Sequence, residues 1–168
     1  MPGKSMDELE SLVGTSVVTV EAFEIEAGKV EEFARAVKDD DPIHRDETAA
    51  TERGFERIPA PLTFERVSMF PRYRTVEKYG IDLGFQEEYT IHGEQAYEYE
   101  RPMMVGDVLT GETTLVDVYE RDGNRGGTMT FAVLETEYTD QDGDLVLTAR
   151  STAIETPGAI GSGGGDDE

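Results

Sequence analysis

Apolar residues recur along the chain in two registers. Across residues 28–38 the spacing is helical, with Val30, Phe33, Ala34 and Val37 at i, i+3, i+4 and i+7. Pro42 cannot continue that helix and pushes Asp41 towards an extended conformation. Before it, residues 17–25 are rich in Val, Phe and Ile and read as a strand. Residues 6–13 read as a short helix ended by Gly14, and residues 46–53 as another closed by Gly54. Ile58-Pro59-Ala60-Pro61 is a stiff entry into a longer helix over residues 62–79. Leu62, Phe64, Val67, Met69 and Phe70 make its first half apolar, so it is expected to be buried, with a kink or break at Pro71.

From Gln86 onward the period shortens to that of strands. Residues 89–99, 108–119, 128–139 and 145–155 form four such segments. Arg101-Pro102 and Val105-Gly106-Asp107 punctuate the first connection. Asp122-Gly123-Asn124 with Gly126-Gly127, and Asp142-Gly143, are the later turns. Long strands with short connections imply antiparallel pairing. The expected class is α+β, an antiparallel sheet wrapped around one long buried helix. The expected organisation is a flexible N-terminal segment (1–14), one folded domain (15–155) and a disordered Gly/Asp tail (156–168).

Charge narrows the setting. Among 168 residues, Lys and Arg total 15 against 37 Asp and Glu, a formal net charge of −22. Such a surface repels nucleic acid and anionic membranes. Heavy acid with scarce lysine suggests a surface adapted to high salt, as in a prokaryotic halophile. The absence of cysteine excludes disulfides, thiolate nucleophiles and Cys-ligated zinc. No apolar run reaches membrane-spanning length, and residues 1–10 lack the apolar core of a signal peptide, so a cytoplasmic location is expected.

The candidate chemistry lies where the first amphipathic helix stops. Asp39-Asp40-Asp41-Pro42-Ile43-His44 puts three carboxylates at a helix C-terminus, the end at which the macrodipole favours cations. One of only two histidines follows Asp39 by five positions. A carboxylate and an imidazole on one turn can hold and activate a water. These six residues also fit a simple helix stop in an acidic protein with a surface histidine.

Three local signatures resemble the MaoC-like family of hot-dog-fold dehydratases and (R)-specific enoyl-CoA hydratases. The first is Phe33-Ala34-Arg35-Ala36-Val37 running into Asp39-x-Asp41-Pro42-Ile43-His44-x-Asp46. The second is Ile58-Pro59-Ala60-Pro61-Leu62-Thr63-Phe64, similar to the entry of the hot-dog helix in the branch that resembles the type I fatty-acid-synthase dehydratase domain. The third is His92-Gly93-Glu94-Gln95, followed by Arg101-Pro102 and Gly106-Asp107. The resemblance covers about residues 15–155 and implies a single hot-dog fold. It implies reversible syn-addition of water to a 2-enoyl thioester, giving a (3R)-hydroxyacyl thioester, with coenzyme A thioester as substrate and no further cofactor or metal. By resemblance Asp39 and His44 are the catalytic dyad, and Asp41, Pro61, Leu62 and Thr63 belong to the substrate site. Asp41 stands where the family has Asn. Pro61 lacks an N–H, so the thioester carbonyl would be polarised by the N–H of Leu62 or Thr63. The acyl chain would run along the buried helix. A lone hot-dog domain pairs with a second, as a homodimer or a heterodimer. The fold also implies two alternatives: a non-catalytic acyl-binding subunit of a heterodimeric dehydratase, and a thioesterase in which Asp39 activates water.

Two further groups have more than one reading. His92 and Gln95, on a strand beside Gly93, either line the pocket or sit structurally at a bulge. Asp140-x-Asp142-Gly143-Asp144 lacks the spacing of a calcium loop and reads as a hairpin turn.

Overall fold

The computed structural model describes residues 3–77, 79–123 and 127–157. The expected tail from residue 158 onward, and residues 124–126 of one expected turn, lie outside them. The elements in chain order are α1 (Met6–Glu10), β1 (Ser16–Glu24), α2 (Ala27–Ala36), α3 (Glu47–Glu52), β2 (Thr90–Tyr99), β3 (Val108–Asp122), β4 (Thr128–Thr139) and β5 (Leu145–Glu155). The five strands form one sheet in the order β1-β3-β4-β5-β2, antiparallel throughout. Its edges are β1 and β2.

Alternation decides which face is covered. Thr130, Ala132, Leu134 and Tyr138 of β4 are buried at even positions, and Leu147, Ala149 and Ala153 of β5 lie on the matching face. One end of that face packs against Val30 of α2, Phe64, Val67 and Tyr73. Phe64 is fully buried, its ring 5.4 Å from Phe33 and 6.0 Å from Phe23. At the other end Leu115, Ala132, Leu134 and Ala153 meet Leu9, Ile81 and Leu83.

The short helix read over residues 6–13 is present as α1. Residues 3–14 carry α1, which opens on a capping box between Ser5 and Glu8 and buries Leu9 completely. Gly3 N–H donates to the Gly84 carbonyl at 2.7 Å, and Lys4 pairs with Asp82 at 2.5 Å. One expectation is corrected, the long helix at residues 62–79. Its place is taken by a 3-10 helix, Phe64–Met69, followed by turns. Pro71 is the cause: the preceding Phe70 is driven out of the helical region, to φ −62° and ψ 141°. Beyond it the chain turns onto the edge of β1, where Glu21 N–H donates to Tyr73 O and Thr75 N–H to Thr19 O. The sheet therefore wraps around α2 and a compact apolar turn.

Candidate active site

The site begins at the end of α2. Val30 and Ala34 bury one face of that helix, which makes its exit a rigid point. The exit is a Schellman motif: Asp39 N–H donates to Ala34 O at 2.8 Å and Lys38 N–H to Arg35 O at 3.1 Å. Lys38 occupies the left-handed position with φ 61°, where glycine is the usual residue. The next turn is capped by its own side chain. Asp41 Oδ1 accepts from Ile43 N–H at 3.2 Å, and Pro42 supplies the first position of a short 3-10 helix, Pro42–His44. Asp46 then caps α3 through Thr48 and Ala49 N–H.

This local folding brings Asp39 and His44 together. His44 Nε2 lies 3.2 Å from Asp39 Oδ2, and Asp39 Oδ1 accepts from Asp41 N–H at 3.1 Å. His44 is 6% exposed, whereas the Asp39 side chain is 40% exposed. The other ring nitrogen sets the chemistry. His44 Nδ1 is 2.7 Å from the Pro59 carbonyl oxygen, which only accepts, so Nδ1 carries a proton. A hydrogen bond between Nε2 and the carboxylate then requires one further proton, shared by the pair. Such a pair can take a proton at one atom and deliver one from the other.

The remaining sequence-derived residues are less closely grouped. Asp41 turns its second oxygen to Arg53 at 3.2 Å, which gives the acid in the family's Asn position a counter-charge. Pro61 is buried, and Leu62 and Thr63 are exposed. The N–H groups of Leu62 and Thr63 make no backbone hydrogen bond among the described residues. His92 lies exposed on β2 opposite Ala153. Gln95 lies half-buried opposite Ser151, its Oε1 without a hydrogen-bond partner. Among the described residues, neither His92 nor Gln95 bonds to Asp39 or His44. No group of three or more His, Asp or Glu placed to hold a metal ion occurs among them either.

Sequence reasoning missed two polar clusters. Glu65, 3% exposed, accepts from Tyr138 OH at 2.7 Å and from Tyr97 OH at 3.1 Å, while Ser68 Oγ lies 2.9 Å from Tyr138 OH. Burial, then the Glu65 carboxylate, pushes the Tyr97 and Tyr138 phenols well above their ordinary range. Tyr99 donates to Leu62 O, and its phenol is pushed up to about 12 by burial and Glu65. The second cluster joins Arg57, Asp107, Arg101 and Asp140. Burial works to raise Asp107, but Arg101, the Met104 N–H and Arg57 together hold it below the usual carboxylate range. Gly106-Asp107 was legible as a turn, but the partners of Asp107 lie up to 50 residues away.

An antiparallel sheet wrapped around a helix is the build of the hot-dog dehydratases and (R)-hydratases. The comparisons agree. The chain belongs to the FAS1-like family: the model of its dehydratase domain region matches residues 11–149. It is 34% identical over 146 residues to a UPF0336 protein of Saccharopolyspora erythraea, covering 86% of this chain and 89% of that one. Among solved structures it is similar to a C-terminally truncated HadBC (3R-hydroxyacyl-ACP dehydratase) complex from Mycobacterium tuberculosis. That match has 27% identity and a TM-score of 0.66, and covers 85% of this chain and 96% of that chain. The (R)-hydratase from A. caviae, 21% identical with a TM-score of 0.56, covers 86% of this chain and 96% of that chain and shares the fold. No helix among the described residues is long and apolar enough to cross a membrane.

Proposed function

We propose that this chain is a hydro-lyase that adds water reversibly, and with (R) stereochemistry, to 2-enoyl thioesters of coenzyme A. The observation that carries this reading is the His44–Asp39 contact, with Nδ1 committed to Pro59 O and Nε2 turned to the carboxylate. In the hydration direction, one member of the pair takes a proton from water as its oxygen bonds to the β-carbon. The other gives a proton to the α-carbon. The pair ends with the proton count it began with, and one water has been added. The N–H groups of Leu62 and Thr63, which make no backbone hydrogen bond among the described residues, would be the donors for the thioester oxygen. Asp41, Pro61, His92 and Gln95 would border the bound thioester.

Charge supports an anionic substrate. Ten of the fifteen lysines and arginines fall within residues 29–78, against eleven of the thirty-seven acids. The segment that carries the pair is nearly neutral, and the rest of the chain holds almost all of the −22. The phosphates of coenzyme A meet least repulsion there. The same net charge favours a cytoplasm of high salt, where screening shortens the range of self-repulsion.

The test is hydration of crotonyl-CoA by the purified chain in molar salt. Turnover by the chain alone, as a homodimer, supports the reading. A second reading has an observation in its favour, because the similar HadBC structure is a complex. In that case this chain would shape the acyl pocket for a separate catalytic subunit. Activity seen only on equimolar mixing with such a partner, and surviving His44→Ala in this chain, would establish the second reading instead.

A further inference from the structure

Asp107 is fully buried and touches neither Asp39 nor His44, yet its bonds converge on the backbone that holds His44. Its Oδ1 accepts from Arg57 Nη2 at 2.8 Å. Its Oδ2 accepts from Arg101 Nη1 at 2.6 Å and from Met104 N–H at 2.9 Å. Arg57 also donates through Nη1 to Val105 O at 2.8 Å, and Arg101 through Nη2 to Asp140 at 2.8 Å. Residues 103–105 are therefore gripped from several directions. They are also the segment against which residues 58–60 lie, antiparallel to it. Val105 N–H donates to Ile58 O at 2.9 Å, and Ala60 N–H to Met103 O at 2.8 Å. Pro59 sits between those two bonds, opposite Met104. In an antiparallel pair alternate residues turn their polar groups to opposite sides. With Ile58 and Ala60 facing residues 103–105, the Pro59 carbonyl faces away, and it meets His44 Nδ1 at 2.7 Å.

We propose that Asp107, with Arg57, positions His44: the ion cluster pins residues 103–105, which set the Pro59 carbonyl that keeps the proton on Nδ1 and Nε2 towards Asp39. Neither residue reaches the reacting atoms. Their effect on rate rests on the hydro-lyase reading; their effect on the imidazole does not. Arg57 is the informative position, because its side chain is 44% exposed and its removal leaves Asp107 paired with Arg101. Asp107→Asn removes the grip more fully but leaves two arginines without their shared carboxylate.

The experiment reads the imidazole nitrogens of the full chain by NMR at mildly alkaline pH, assigned by difference from His44→Ala. Wild type should show one tautomer at His44, protonated at Nδ1. Arg57→Ala should mix the two tautomers and lower kcat about tenfold with KM nearly unchanged, on the scale at which displaced catalytic groups lose rate. Arg57→Lys keeps a donor for Val105 O and should recover most of both. If Asp107→Asn does not fold, Arg57→Ala decides alone. A folded Arg57→Ala with wild-type His44 signals overturns the proposal. So does a loss of kcat in Arg57→Ala that Arg57→Lys fails to recover while its tautomer is normal. If no form hydrates crotonyl-CoA, the functional reading fails and the nitrogen signals still decide this one.

Discussion

Residues 39–46 and residues 62–75 are both short connections anchored on the same core, and they are held in opposite ways. The backbone of the first is held by its own neighbours, while Pro59 O at His44 Nδ1 and Arg53 at Asp41 reach it from further along the chain. The Schellman bonds at its start, the Asp41 cap, Pro42 and the Asp46 cap all reach five residues or fewer. The second is held from afar. Tyr99 reaches Leu62, Tyr97 and Tyr138 reach Glu65, Tyr138 reaches Ser68, and the chain at Tyr73 and Thr75 lies on β1. The difference teaches that the backbone bringing an Asp–His pair together can be built from local rules, while the apolar turn at residues 62–75 depends on the finished sheet.

The largest expected effect breaks the first region. Asp39→Asn and His44→Ala should each lower crotonyl-CoA hydration at least about a hundredfold, the scale of positioned acid–base catalysis. The fold should survive, because neither side chain is an apolar core anchor and the caps at Asp41 and Asp46 remain. Circular dichroism with steady-state kinetics checks both. Activity within a few-fold of wild type in either variant would sink the pair.

That contrast also explains what could be read from the chain. The α2 periodicity, the stop at Pro42 and the strands from residue 90 onward are local patterns, and the fold follows them. The Asp39–His44 spacing is local as well, so the pair was legible. The short helix read over residues 6–13 is α1, and its Ser5-x-x-Glu8 capping box is local too. The helix over residues 62–79 was misread because its apolar run fits a helical period, whereas Phe70 is forced to be extended and residues 73–75 find partners on β1. The Pro59 carbonyl is fifteen residues from His44 and carries no side-chain signal, so only the structure exposes it.

A smaller effect tests the distant hold. Tyr138→Phe removes one of the two phenols from Glu65 and the partner of Ser68. Leaving a buried carboxylate half-satisfied should cost about 1–3 kcal/mol. Urea denaturation should show a lower midpoint with an unchanged slope. A midpoint equal to wild type would mean that the Glu65 network does not hold this turn.

Alkali separates the two regions without mutation. The unfolded chain gives up tyrosine protons near pH 10, at roughly the model-peptide value. The folded chain holds them longer, since Tyr99 is raised to about 12 and Tyr97 and Tyr138 are raised as well. Folded phenols therefore bind more protons than unfolded ones across that window. Stability from this network is fully present below pH 10 and falls as pH rises towards about 12. Melting temperature should drop across this range, and Tyr97→Phe should flatten the drop. An equal drop in Tyr97→Phe would assign it to other groups.

The smallest effect sharpens the local side. Lys38 is a non-glycine residue in a left-handed position, φ 61°, at the C′ site of the Schellman motif. A side chain there costs about 1 kcal/mol that glycine avoids. Lys38→Gly keeps both backbone bonds, to Ala34 and Arg35, and should relieve that strain. For a chain of this size the gain corresponds to a rise in melting temperature of roughly 2–4 °C. It also removes a positive charge next to three acids, which works against the gain, so Lys38→Ala is the control for charge. Glycine should melt above alanine, and His44 should keep its Nδ1 proton in both. If alanine matches glycine, the left-handed turn at residue 38 is not what sets the exit of α2.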